Sequence, residues 1–204
     1  KEEFRNKLNQ AIRYYPGNTK YTDKTINNWR TEISALFGLI VTDDKNSYPS
    51  ELALKLNETG NLIRFFQTFL YNFQYPGGHL KPNEIKAMIS FGIKFKPAQY
   101  ILKLLKHGTS ESGRRYGVSK QEITHLVLNN LDVTRDQSPY QNIYNIIALN
   151  RKKKLDLDYD SRGDVIRYAG DILDYMVLAG LLDRKLDNKY YPRMQNLEII
   201  NRFT

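Results

Sequence analysis

Ala35-Leu36-Phe37-Gly38-Leu39-Ile40 and Val177-Leu178-Ala179-Gly180-Leu181-Leu182 are two copies of one apolar pattern in this chain. Each copy follows a stretch of helical periodicity and precedes a charged turn and a tyrosine, which together predict a β-hairpin. A glycine just after a helix supplies the left-handed conformation that turns the chain into a strand. The repeat therefore predicts two winged helices. We expect a mainly α fold with short β-hairpins, built from tandem winged-helix subdomains of a kind that mostly binds DNA.

The predicted helices divide the chain into three parts. We expect a first winged-helix subdomain at residues 1–80, a basic helical connector at 81–118 and a second winged-helix subdomain at 119–204. The strongest apolar stripe, at residues 61–75, has the spacing of a buried helix face. Ser119-Lys120-Gln121-Glu122 has the spacing of a capping box and predicts the start of another helix.

Positive charge is concentrated in the middle of the chain. The net charge is +9, and residues 81–120 hold nine Lys or Arg against two Asp or Glu, whereas residues 121–204 hold twelve of each. A local surplus of this sign is expected of a surface that binds a polyanion. The scattered lysines of an ordinary basic protein would give the same composition, so charge alone leaves both interpretations open.

Cysteine and long apolar runs are both missing from the sequence. The lack of cysteine excludes disulfides and cysteine-based zinc sites. No apolar run approaches the roughly 20 residues of a membrane span, and the first residues lack the apolar core of a signal peptide. We therefore expect a cytoplasmic protein with no membrane partner.

The motifs of known catalytic and metal sites fit this chain poorly. Its three histidines are far apart in sequence, which does not favour metal ligation. The acidic alternation from Asp156 to Asp160 resembles the start of an EF-hand loop, but Ser161 stands where the loop needs glycine. Glu84-Ile85-Lys86 has the letters of a metal-dependent nuclease site, yet it falls in a predicted helix. The sequence predicts no metal or cofactor in this chain and leaves open whether the chain is an enzyme.

The outer face of the first long helix carries side chains suited to base reading. Asn and Arg can each form two hydrogen bonds with a purine edge in the major groove. We expect Asn27 and Arg30, three residues apart, to point into one groove, while other cations contact phosphates. The predicted DNA-binding residues are Lys24, Asn27, Asn28, Arg30 and Thr31 on this helix, Lys45 in the first hairpin, Arg114 and Arg115 in a glycine-flanked loop, Arg162 and Arg167 at the start of the second long helix, and Arg184, Lys185 and Lys189 in the second hairpin.

The order of these motifs resembles that of a known enzyme family. The motifs are Trp29-Arg30-Thr31-Glu32, Phe37-Gly38-Leu39-Ile40, the aromatic helix ending Gln74-Tyr75-Pro76-Gly77, Ile101-Leu102-Lys103-Leu104-Leu105 and Val118-Ser119-Lys120-Gln121-Glu122-Ile123. They are similar to the target-recognition portion of type IIS restriction endonucleases of the AlwI kind, and in plan to the winged-helix recognition domains of BpuJI and FokI. The likeness covers residues 20–131 in detail and residues 160–204 as a winged helix.

The resemblance implies sequence-specific binding of double-stranded DNA that positions a nuclease. In that family cleavage resides in a separate nuclease domain, usually of the PD-(D/E)xK type. This chain lacks that domain, so we expect a recognition fragment or a stand-alone specificity subunit whose partners are DNA and a nuclease domain or subunit. Mg²⁺ would be needed only by that separate domain. A winged-helix transcriptional regulator, a nuclease with an unconventional active site and a winged-helix protein–protein adaptor remain as alternatives.

Overall fold

The computed structural model describes residues 2–15, 17–43, 46–77, 80–157 and 164–204. Most of these residues are helical, and the strands form two small antiparallel sheets. The predicted mainly α fold with short hairpins is thus confirmed. The chain forms two compact units, the first from Lys1–Gly60 and Gly77–Lys81 and the second from Asn61–Pro76 and Pro82–Thr204.

The first unit consists of helices around a short hairpin. Thr22 begins the second helix, because its hydroxyl accepts a hydrogen bond from the backbone N–H of Thr25. Gly38, with φ of 62°, turns the chain from this helix into the hairpin, where Val41 lies opposite Tyr48. The elements are α1 (Glu2–Tyr14), a 3₁₀ turn (Asn18–Lys20), α2 (Asp23–Leu36), β1 (Ile40–Thr42), β2 (Ser47–Pro49) and α3 (Glu51–Thr59).

The interior of the first unit is small. Ile26 of α2 is fully buried, but Ile33, which the helical spacing places on the same inward face, is 44% exposed. Helical spacing alone would therefore misplace Ile33 in the core. A helix face can be apolar in sequence and still extend past the neighbour that covers it, and the apolar face of α2 is covered at Ile26 but not at Ile33.

The second unit is larger and contains the main apolar core. Its elements are α4 (Leu62–Asn72), α5 (Pro82–Ser90), α6 (Pro97–Ser112), β3 (Val118–Ser119), α7 (Lys120–Ile123), α8 (Leu131–Thr134), α9 (Tyr140–Arg151), α10 (Asp164–Leu178), β4 (Leu182–Arg184), β5 (Lys189–Pro192) and α11 (Leu197–Phe203). In the part of the chain that is described, no helix is both long and apolar enough to cross a membrane.

The observed units differ from the predicted division of the chain. The aromatic stripe of α4, expected in the first subdomain, packs in the second unit, where the Phe66 ring stacks on Tyr175 of α10 at 5.5 Å. Helix α6, expected in a connector, buries Ile101 and Leu105 completely and packs against α9. The reason is burial: both helices carry apolar faces too large to leave in water, and the partners that cover them come later in the chain.

The capping box at the start of α7 is present as predicted. The Ser119 hydroxyl accepts from the backbone N–H of Glu122, and the Glu122 carboxylate accepts from the backbone N–H of Ser119 at 2.7 Å. The helix does not continue regularly, since residues 124–128 form a π-helical turn. The helix ends with this turn, and Leu131, the first residue of α8, is exposed.

A second hairpin follows α10. Gly180, with φ of 70°, turns the chain into β4, which pairs with β5, and β3 adds to the other edge of β5 to give the order β3-β5-β4. Asp183 lies opposite Tyr191 in this hairpin. Both predicted helix-to-hairpin turns are therefore present. The assignment of either one as a winged helix stays a prediction.

Candidate functional site

The polar side chains between α1 and α2 form a hydrogen-bonded cluster. The side-chain oxygen Oδ1 of Asn27 accepts from the side-chain amide of Asn9 and from Nη1 of Arg30, both at 2.9 Å. The same Arg30 nitrogen donates to the side-chain oxygen of Asn9 at 2.9 Å. Asn27 and Arg30 are only partly exposed, so they do not form the open helix face that the sequence predicts. Sequence spacing places residues on a face but does not show that α1 lies against it.

Other predicted residues of α2 are more accessible. Lys24, Asn28 and Thr31 are exposed, and the Thr31 hydroxyl donates back to the carbonyl of Asn27 at 3.1 Å. The Lys24 and Asn28 side chains therefore project from the helix towards solvent, beside the cluster that holds Asn27. Of these two asparagines of α2, Asn28 is therefore the more accessible to a ligand.

A groove of about 890 Å³ lies in the first unit between α1, α2 and the hairpin. Its walls combine guanidinium, hydroxyl and amide groups with one aromatic ring. These groups can donate and accept hydrogen bonds at base edges and phosphates. The lining side chains that supply them are Arg5, Arg30, Thr31, Ser34, Thr42, Asn46, Ser47 and Tyr48. Sequence reasoning missed Arg5, Asn46 and Tyr48, and the predicted phosphate contact Lys45 lies outside the described residues.

Arg115, predicted as a phosphate contact, is tied into the second unit. Its Nη2 donates to Asp183 at 2.8 Å and to the backbone carbonyl of Pro192 at 2.5 Å, and its guanidinium lies 5.8 Å from the centre of the Tyr191 ring. These contacts anchor the glycine-flanked loop to the second hairpin. Arg115 is thus a structural residue in this structure, whereas its neighbour Arg114 is exposed.

The second hairpin presents several predicted cations at its rim. Arg184 and Lys185 are exposed, Lys189 is half-buried, and Arg184 donates to the Asn188 side chain at 3.3 Å. At the tip, the backbone N–H of Lys185 donates to the carbonyl of Lys189, and the Asp187 carboxylate accepts from the backbone N–H of Lys189 at 3.1 Å. A hydrogen bond from the Tyr191 hydroxyl at 2.6 Å is the main cause that holds the pKa of Asp187 below its ordinary value.

Of the two predicted cations at the start of α10, only Arg167 lies among the described residues. Arg167 is exposed and its guanidinium lies 5.2 Å from the centre of the Tyr168 ring. Arg162 lies outside the described residues, as do Asp158, Asp160 and Ser161 of the acidic alternation. The prediction that Arg162 and Arg167 meet DNA stays a prediction.

The positive surplus of residues 81–120 does not form one free basic face. Lys106 donates to the side chains of Asn201 and Thr204 of the second unit. Lys94 pairs with Asp136 at 3.9 Å, and the ammonium of Lys96 lies over the Tyr71 ring. Charge surplus in sequence therefore overstates the charge available to a ligand, because several of these cations already have partners within the fold.

The weak catalytic patterns gain no support from geometry. Glu84-Ile85-Lys86 lies in α5 and not on a strand. His107 packs against the rings of Tyr140 and Tyr144. Among the described residues, no group of three or more His, Asp or Glu side chains is close enough together to hold a metal ion.

A second groove, of about 700 Å³, lies beside the second hairpin and was not predicted from sequence. It contains Arg184 and Lys185 together with Arg193 and Gln195, which follow β5. Arg193 donates through Nε to the second oxygen of Asp183 at 2.8 Å. Burial opposes ionisation of Asp183, but hydrogen bonds from Arg115 and Arg193 outweigh it and lower the pKa of this carboxyl. The available signal was the position of Arg193 directly after a predicted hairpin.

Comparison with known proteins finds relatives over the whole chain. The family model for the restriction endonuclease BpuJI, N-terminal, matches residues 1–204. One solved structure, described as pyrene- and phenanthrene-modified DNA in complex with the BpuJ1 endonuclease binding domain, matches with a TM-score of 0.84 and 25% sequence identity. That match covers 99% of this chain and 73% of the other. Among curated proteins, none matches the chain.

Proposed function

This chain belongs to the family of the N-terminal region of the restriction endonuclease BpuJI, and we propose that it binds double-stranded DNA at a defined sequence as a target-recognition domain. One observation carries the proposal. The relative whose structure contains DNA shares the fold of this chain over nearly its whole length. Such a domain selects the site, and the chemistry of cleavage belongs elsewhere.

The groove of the first unit supports a base-reading role. Arg30 lines that groove with part of its guanidinium held by Asn9 and Asn27, so its orientation is already restricted before a ligand binds. A guanidinium fixed in this way loses less conformational entropy on forming a paired contact with a guanine edge. We assign base contacts to Arg30, Asn28 and Thr31, and a positioning role to Asn27.

Exposed cations on both units supply contacts to the DNA backbone in this proposal. Lys24 of α2, and Arg184 and Lys185 of the second hairpin, project into solvent and can approach phosphates without breaking an internal ion pair. Such contacts hold the duplex in register but carry no sequence information. Arg115 is left out of this set because its terminal nitrogen already bonds to Asp183 and Pro192.

Cleavage is assigned to a separate nuclease domain or subunit, which would need Mg²⁺. The support is that the matching family describes the N-terminal part of an endonuclease, and that the solved relative is described as a binding domain. We also propose that the chain acts in the cytoplasm. A transcriptional regulator would share the binding chemistry but would not recruit a nuclease.

Selection of bound duplexes from a random pool tests the proposal. We expect a single short consensus to emerge, and its affinity should fall linearly with salt on a log–log plot, because bound phosphates release counterions. A pool that stays random, or an affinity that does not respond to salt, would refute DNA recognition. Lys55→Ala is a suitable charge control, since Lys55 is exposed and pairs with Glu51 on its own helix.

A further inference from the structure

Arg193 is held in a fixed orientation at the groove beside the second hairpin. Its Nε donates to one oxygen of Asp183 at 2.8 Å, while Arg115 occupies the other oxygen at 2.8 Å. Its backbone N–H donates to the carbonyl of Leu181 at 2.9 Å, which fixes the start of the side chain as well. The Arg193 side chain is 34% exposed, compared with 70% for Arg202, which pairs with Glu198 on its own helix.

The contact to Asp183 leaves the outer end of the Arg193 guanidinium available. In the part of the chain that is described, Nη1 and Nη2 of Arg193 have no hydrogen-bond partner. A guanidinium bonded through Nε presents these two nitrogens as a paired donor with matched geometry for two oxygens. Since Asp183 has already restricted its rotation, binding costs little further side-chain entropy.

The surroundings of Arg193 match a phosphodiester better than a base edge. Arg184 and Lys185 line the same groove, so three cations stand near one another with a single carboxylate, Asp183, whose oxygens are both occupied. The groove is shallow and open to solvent, so it can meet the phosphates on the outside of a duplex more easily than base edges, which lie inside the grooves. Gln195, also on the lining, can add a neutral amide donor.

We propose that this groove is a phosphate site for one DNA strand, with Arg193 as its paired donor and Asp183 as the residue that positions it. The inference rests on the proposed DNA-binding function and adds to it a contact that no predicted site residue supplies. Because phosphate contacts are the same for every sequence, Arg193 should contribute equally to specific and nonspecific binding.

The most informative substitution is Arg193→Gln. The amide nitrogen of Gln stands at the same place along the side chain as Nε of Arg, so it can keep the hydrogen bond to Asp183 while both terminal nitrogens and the charge are removed. We expect Arg193→Gln to have the same free energy of unfolding as the unchanged protein. Affinity for duplexes of selected and of random sequence should fall by about tenfold in both cases, as expected for loss of a charge-assisted contact. The salt slope should become shallower by about one.

Arg202→Ala is the matched control, because it removes an exposed guanidinium of the same unit. Arg193→Lys keeps the positive charge but removes the paired donor, so it tests whether paired donation matters. Arg193→Lys should recover the salt slope and only part of the affinity. A loss confined to the selected sequence would show that Arg193 reads a base, and an unchanged affinity in Arg193→Gln would show no contact. Either result overturns the proposal. If the unchanged protein binds no DNA at all, it is the proposed function that fails.

Single methylphosphonate substitutions along the selected duplex then locate the contact. Replacing one phosphate oxygen with a methyl group removes its charge, so the contacted position should weaken binding by the unchanged protein. At that same position Arg193→Gln should show no further loss. Independent, additive losses at every position would contradict the assignment.

Discussion

The Arg30 side chain has both an internal and a proposed external role, and these can be separated by pairing Arg30→Ala with Asn9→Ala. Arg30→Ala removes hydrogen bonds to Asn9 and Asn27, each at 2.9 Å. Asn9→Ala also removes two, since the Asn9 amide donates to Asn27 and its oxygen accepts from Arg30. A partly buried hydrogen bond contributes about 0.5–1.5 kcal/mol, so both substitutions should lower the free energy of unfolding of the first unit by about 1–3 kcal/mol.

The affinity for DNA should distinguish Arg30→Ala from Asn9→Ala. Arg30→Ala should cost a further 1–3 kcal/mol or so for the selected duplex, because a paired contact with a base is lost, and much less for random DNA. Asn9→Ala should leave most of the specificity, since Arg30 still has the oxygen of Asn27 as an anchor. Asn9 does not line the groove.

Unfolding of the first unit can be followed through Trp29, which is the one tryptophan of the chain and lies on α2. Its ring contacts Tyr21 at 4.8 Å, so its emission should report on α2 directly. Urea titrations followed by this signal give the stability change, and competition between selected and random duplexes gives the specificity. Equal losses of specificity in Arg30→Ala and Asn9→Ala would refute the assignment of Arg30 as a base reader and leave it a structural residue.

Three other predictions concern the second unit. Glu122→Ala should lower the free energy of unfolding by about 3–5 kcal/mol in urea titrations followed by circular dichroism, because it leaves Arg151 without its paired carboxylate; a loss below about 1 kcal/mol would contradict this. Lys185→Ala should weaken binding to specific and random duplexes alike, whereas Arg115→Ala should mainly lower the free energy of unfolding. A larger loss of binding in Arg115→Ala than in Lys185→Ala, measured by filter binding, would show that Arg115 contacts phosphate. The pKa of Asp183 is lower in the folded chain than in the unfolded chain, where it is about 4. The ionised carboxylate therefore stabilises the fold above about pH 4, and this stabilisation is lost as the pH falls below that value. The free energy of unfolding of Asp183→Asn should accordingly depend less on pH in the acid range.

Local features of the fold could be predicted from sequence because their causes are local. Gly38 and Gly180 mark the ends of long helices, and both adopt the left-handed conformation before a hairpin. Ser119 and Glu122 form the capping box that their spacing indicates. Most of the apolar stripe of α4 is buried as its period requires, at Phe65, Phe66, Phe69 and Leu70, but Leu62 at its start is 56% exposed.

The candidate site could be predicted only in part, because its geometry depends on partners distant in sequence. Asn27 is held by Asn9 from another helix, and Arg115 is held by Asp183, which lies 68 residues later. Neither partner is visible in helical spacing or in the distribution of charge. Arg193 was missed for the same reason, since its orientation is set by the Asp183 carboxylate on β4, the other strand of the hairpin.

The central claim is that this chain distinguishes one duplex sequence from others. The most direct test is the ratio of its affinities for the selected duplex and for a scrambled duplex of the same length and base composition, measured at one fixed physiological salt concentration. The account predicts a preference of about 10³-fold or more, in the range of sequence-specific DNA-binding proteins. Equal affinities for the two duplexes would contradict it.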